Sequence, residues 1–164
     1  MRFIKLAIIS AVVISVLLTA LSLLLPSHVR ISRAVNIAAA PEKISPYIND
    51  LHQWQRWNHF FLDTSMKAEV VGRWFMKTNR VDVQMATPGD NFTTTMWMQP
   101  NGKMFQGNFV LLPGDSITVV QWYFDFRLRW YPWEKISSII YDGQMGPVME
   151  KSLTELKELV ETSP

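Results

Sequence analysis

The chain has no cysteine, which excludes disulfides, thiol nucleophiles and thiolate metal sites. Histidine is nearly as scarce, with only His28, His52 and His59 in 164 residues. A hydrolytic or zinc centre needs converging imidazoles and carboxylates. His52 and His59 are seven apart, with Asp50 and Asp63 nearby, so one side of an unbroken helix could hold a metal; solvated loop histidines are the plainer reading. The sequence also lacks a Gly-rich phosphate loop, a Gly-x-Ser-x-Gly elbow and a His-Glu-x-x-His pair, and no metal or cofactor is expected. Charge of one sign is missing too. The formal charge is +2, and setting aside Arg2 and Lys5 leaves 14 basic against 14 acidic residues. A domain this neutral has no field for gathering nucleic acid, and no such partner is expected.

What is present is apolar bulk. Residues 6–25, LAIISAVVISVLLTALSLLL, carry no charge and are long enough to cross a hydrocarbon core of roughly 30 Å. Arg2 and Lys5 precede the run and Pro26 ends it. A cleaved signal peptide has an apolar region of about 7–15 residues before a small-residue cleavage site. Here the run is longer, and the small residues Ala20 and Ser22 are followed by three more leucines. An uncleaved single-pass membrane anchor over 1–27 is the preferred reading, with a soluble domain over 28–164. Positive charge lies on both sides, at Arg2 and Lys5 and at Arg30 and Arg33. The balance, with the amino group, leans to an inside amino terminus and an extracytoplasmic domain.

The domain ends in its clearest periodic segment, 146–161 (GPVMEKSLTELKELVE). Met149, Leu153, Leu156 and Val160 form one apolar stripe, with Leu159 beside it and Glu and Lys opposite. Pro147 suits a first helical position. Before it lie strand-like runs at 81–86, 92–99, 104–112 and 117–128, separated by Pro-Gly and Asn-Gly turn chemistry. In the last run Thr118, Val120, Trp122, Phe124, Phe126 and Leu128 share one face. An alternating strand is expected at 29–37, then a short helix from Pro41, a bend at Pro46 and a second piece to Trp57. A strand broken at Gly72 is expected within 66–75, and a short helix over 133–141, with Ile136, Ile139 and Ile140 on one face, that loosens at Asp142-Gly143. The fold class is therefore α+β: an antiparallel sheet curled around a carboxy-terminal helix, preceded by one transmembrane helix.

That element order resembles the helix-grip fold of the START/Bet v 1-like (SRPBCC) superfamily, the polyketide cyclase/dehydrase and lipid transport proteins. The segments that carry the resemblance are VRISRAVNIAAAPEKI at 29–44, Trp54-Gln-Arg-Trp57, and SLTELKELVE at 152–161. The chain departs from the pattern at Asn58-His59-Phe60, where a proline commonly follows the tryptophans, and at a shortened hairpin around Gly72. The resemblance implies an apolar cavity between sheet and helix that holds a hydrophobic small molecule or lipid. Trp54, Trp57, Trp97, Trp122, Phe124, Trp130, Trp133, Met149 and Leu153 are the lining candidates it suggests. Core packing competes as a role for Trp54 and Trp57. Residues 127–133 (RLRWYPW) mix cations with aromatics that favour a headgroup region, although a packed sheet-to-helix corner accounts for them as well.

Three functions remain open at this level: a membrane-anchored binding domain, a cyclase- or dehydratase-like enzyme, and a filled interaction domain. A buried carboxylate or tyrosine would serve the second, with Asp82, Asp125, Tyr123 and Tyr141 as candidates. No catalytic residue is assigned. Several hundred Å³ of connected apolar space would favour the first over the third.

Overall fold

The computed structural model describes residues 2–24, 27–62, 64–128 and 131–163; Pro26, Asp63 and Trp130 lie outside them. Helix α1 (Arg2–Leu24) comes first. Its residues Phe3–Leu24 are long and apolar enough to cross a membrane. From Phe3 to Leu24, Thr19 and Ser22 are the side chains that lose exposure; the rest of that stretch is exposed, and the helix meets the domain through α4.

Seven strands follow in one antiparallel sheet: β1 (His28–Ile37), β2 (Glu69–Val71), β3 (Phe75–Lys77), β4 (Asp82–Thr87), β5 (Phe92–Met98), β6 (Met104–Pro113) and β7 (Thr118–Arg127). Their spatial order is β1-β7-β6-β5-β4-β3-β2. The last four make the meander expected from their turns, and β1 closes on β7 with His28 opposite Arg127 and Ile37 opposite Thr118. A register shift between Met85 and Thr87 bends β4, as bulges do. The face of β7 that carries Thr118, Val120, Trp122 and Phe124 is buried, as its alternation requires.

Helices α2 (Pro41–Asn49) and α3 (Leu51–Trp57) cross the concave side. The break between them falls at Asp50, four residues beyond the expected bend at Pro46. Pro46 removes one hydrogen bond inside α2, yet the helix runs on because Ile44 and Ile48 are anchored in the core. What ends it is side-chain chemistry. The Trp54 indole N–H donates to the Ile48 carbonyl at 2.8 Å and that of Trp57 to the Tyr47 carbonyl at 3.1 Å. These are carbonyls of the last turn, which no helical N–H can reach. Asp50 then starts α3 by accepting from the His52 amide.

Helix α4 (Pro132–Thr162) runs unbroken for 31 residues, where two helices with a loose joint at Asp142-Gly143 are expected. Pro147 sits inside it, so the Gly143 carbonyl lacks its usual donor. Tertiary contacts outweigh that loss. Met149, Leu153, Leu156 and Val160 are all buried, and Tyr141 and Met145 pack against the same core earlier in the helix. The side chains of Ile136 and Ile139, expected on one face with Ile140, are outside the described set; Ile140 is exposed. The architecture is a helix-grip fold, a curved sheet holding a long carboxy-terminal helix.

Replacing Trp54 by Phe strips the donor from a buried carbonyl and shrinks a fully buried ring. The expected cost is about 2–4 kcal/mol. A fall in the urea midpoint, followed by circular dichroism, measures it.

Candidate ligand cavity

The concave face carries a continuous set of touching rings. Trp54 and Trp57 meet at 5.7 Å, Phe109 stacks on Trp122 at 4.8 Å, and Trp97 meets Phe124 edge-on at 5.1 Å. Gly107 makes the last contact possible. A Cβ there would fall 2.7 Å from the Phe124 ring, 2.8 Å from Thr95 Oγ1 and 2.8 Å from Trp97 Nε1. The Trp97 indole donates to Thr95 Oγ1 at 3.0 Å, and that hydroxyl donates to the Gly107 carbonyl at 2.9 Å. Trp97 is thereby fixed with its polar atom satisfied and its ring, almost fully buried, at the base of an apolar space.

That space is a cavity of about 990 Å³ between one end of the sheet and the amino-terminal half of α4. Phe60, Trp97, Phe105, Phe126 and Tyr141 form its apolar wall together with Val81 and Met145. Successive ring contacts run from Phe60 to Trp97 (5.6 Å), Trp97 to Phe105 (5.9 Å), Phe105 to Phe126 (5.0 Å) and Phe126 to Tyr141 (5.3 Å). Arg80, Lys103, Arg127 and Glu134 are the charged residues around it. Its size falls at the upper end of the range for small-molecule sites, about 300–1,000 Å³.

The α4 side of this cavity is held by Arg33 of β1. Its guanidinium bonds Glu150 at 2.6 Å and Asp142 at 3.0 Å, one carboxylate on either side of Pro147. Gly146 lies between them, and an added Cβ would collide with the guanidinium. Burial opposes the Arg33 charge, but the bonds to Glu150 and Asp142 outweigh it and hold the pKa above the ordinary arginine value.

The nine lining candidates separate. Trp97 lines the cavity. Trp54, Trp57, Trp122, Phe124, Met149 and Leu153 are buried behind it in the core. Trp133 is 64% exposed and stacks on Tyr131 at 4.8 Å, and Trp130 is outside the described residues. Of the four candidate acids and bases, Tyr141 lines the cavity. Asp125 takes two bonds from Arg30 at 2.8 and 2.9 Å, and Arg30 lies over the Tyr123 ring. Those three are on the opposite face of the sheet from Trp122 and Phe124. The bond to Asp125 outweighs desolvation and raises the Arg30 pKa. Asp82 accepts from the Thr78 amide in the β3–β4 turn. His59 pairs with Glu155 at 3.3 Å, His52 is exposed on α3, and no group of three potential metal ligands occurs among the described residues.

Phe60, Val81, Phe105, Phe126 and Met145 are lining residues that sequence reasoning did not select. Phe105 had a signal, since it alternates with Gly107 and Phe109 along β6. Phe60 had none, because it lies in irregular chain after α3.

Three comparisons bear on this geometry. The family model for polyketide cyclase / dehydrase and lipid transport proteins matches residues 28–161. Comparison with curated protein sequences finds no match. Among solved structures, a Staphylococcus aureus protein of unknown function aligns with TM-score 0.63 at 14% identity, over 82% of this chain and 94% of that one. A truncated norcoclaurine synthase from Thalictrum flavum aligns with TM-score 0.60 at 10% identity, over 84% and 96%. DynU16, from the dynemicin biosynthetic locus, aligns with TM-score 0.59 at 13% identity over 84% of this chain, which spans about half of that protein (48%). Identities this low establish a shared fold.

Substituting Arg33 by Gln frees Asp142 and Glu150 and loosens the helix wall on the amino-terminal side of Pro147. Amide exchange over 138–146 should rise about fivefold, the equivalent of about 1 kcal/mol of local opening, with 149–160 unchanged. Hydrogen–deuterium exchange with mass spectrometry reads both segments.

Proposed function

The chain belongs to the polyketide cyclase/dehydrase and lipid transport family, and from that premise we propose that it is a membrane-anchored carrier for a hydrophobic small molecule or lipid. Residues 1–27 serve as the anchor and 28–164 as the binding domain, with the amino terminus inside and the domain on the extracytoplasmic side. The observation that carries this reading is the cavity of about 990 Å³ with its aromatic wall. The volume is partly open to solvent at the end of the sheet and lies beside the close-packed rings of the core. Transfer of apolar ligand surface from water supplies the affinity, at roughly 25 cal/mol per Å², less the cost of association.

The wall favours binding over chemistry. Trp97, Phe105 and Phe126 offer ring faces and edges, and the Tyr141 phenol is the one titratable group from α4's middle turns that lines the space. Asp82 and Asp125, two of the candidate acids or bases, are engaged elsewhere, and Glu134, the carboxylate at the cavity, pairs with Lys103 at 3.8 Å. In this reading Met145 meets the ligand from α4, Phe60 from the chain after α3 and Trp97 from the sheet.

Native mass spectrometry of the detergent-extracted full chain tests the reading. The expected result is a co-purifying small molecule, with the protein also binding the neutral dye Nile red. Met145→Trp, which narrows the cavity beside Tyr141, should weaken dye binding by roughly tenfold. Recovery of empty protein from several hosts, with no dye uptake, would end the proposal.

A further inference from the structure

We propose that the cavity is loaded directly from the bilayer, and that its occupant is a membrane amphiphile with an anionic headgroup. This rests on the binding reading above and adds the route and the ligand class.

The route follows from strand register. The cavity lies at the end of the sheet where β1 begins, β7 ends and the β5–β6 turn closes. His28, the first residue of β1, is opposite Arg127, and the Leu128 amide donates to the Ser27 carbonyl at 2.8 Å. Arg127 and Leu128 both belong to the cavity rim. Helix α1 ends at Leu24, and three residues of chain reach at most about 11 Å. The foot of the span and the mouth of the cavity are therefore neighbours. Two large apolar side chains at this end are open to solvent, Met104 and Trp133, each 64% exposed. Tryptophan beside cationic side chains is the composition of a headgroup layer.

The ligand class follows from charge. Arg80, Lys103 and Arg127 stand on the rim against one carboxylate, Glu134. Lys103 reaches Glu134 at 3.8 Å. The guanidinium groups of Arg80 and Arg127 have no carboxylate partner among the described residues. Below the rim the wall turns aromatic. A molecule that matches both zones has an apolar tail for the wall and a negative group, phosphate or carboxylate, for the arginines. Such molecules dissolve poorly in water, so a cavity that opens at the bilayer surface avoids an aqueous transfer.

The test uses the full chain reconstituted in vesicles of phosphatidylcholine and phosphatidylglycerol. One set carries a trace of phosphatidylglycerol with a photoactivatable acyl chain, the other a trace of phosphatidylcholine with the same chain. After illumination, labelled peptides are mapped by mass spectrometry. The expected result is labelling of the segments holding Trp97, Phe105 and Tyr141, several-fold stronger with the phosphatidylglycerol probe. The exposed double variant Arg80→Gln, Arg127→Gln, checked for native circular dichroism, should bring that labelling down to the phosphatidylcholine level. Equal labelling by both probes, an unaffected variant, or labels confined to α1 would overturn the proposal. Nile red separates this failure from the earlier one. Dye uptake without cavity labelling by lipid sinks bilayer loading alone, while absence of both removes the binding reading as well.

Discussion

A single unbroken helix has to lie on a curved sheet, and it cannot touch that sheet equally along its length. Helix α4 resolves this by close packing at one end. Met149, Leu153, Leu156 and Val160 are buried to within 1%, which seats the carboxy-terminal half against β1, α2 and α3. The amino-terminal half, continuous with it, runs over the end of the sheet that lines the cavity, with Tyr141 and Met145 at the edge of the core. Pro147 stands where the two halves meet, a point at which a helix would ordinarily kink. Arg33 spans that point from β1, bonded to Asp142 before it and Glu150 after it. The residues that α4 lends to the cavity, Glu134, Tyr141, Gln144 and Met145, all lie on the amino-terminal side of that point.

The second support is the tryptophan pair of α3. Trp54 and Trp57 end α2 with their indole N–H groups and fill the concave face with their rings. One side chain thus does two jobs, one polar and one apolar, which suits indole better than any other residue. Behind them the stacked Phe109 and Trp122 close the interior. The aromatic content is consequently divided by position. Rings at the centre pack against each other, and rings toward the sheet end that holds the β5–β6 turn face the open volume. Gly107 marks the boundary, because any larger residue would push Phe124 away from Trp97.

Much of this was legible from residue pattern. The stripe from Met149 to Val160 and the alternation of β7 identify their buried faces directly, since each element has one period and one partner. Local breakers were harder to read. Pro46 and Pro147 look like ends, yet both lie inside helices, because buried anchors on either side outweigh one missing hydrogen bond. The cavity wall was least legible. Trp97, Trp122 and Phe124 carry similar signatures in sequence, and only the register of β5, β6 and β7 shows which ring ends up beside the void. Phe60 has no periodic neighbour, and Arg33 and Glu150 are 117 residues apart. No local pattern encodes such a pair.

The central claim is that the space under the lifted half of α4 holds an apolar guest. Anomalous diffraction from crystals grown with a fatty acid brominated along its chain locates that guest without assumption. The account predicts bromine density among Phe60, Trp97, Phe105, Phe126 and Tyr141, with α4 continuous through Pro147. Bromine absent from that volume, with α4 collapsed onto the strands and side chains filling the space, would contradict it.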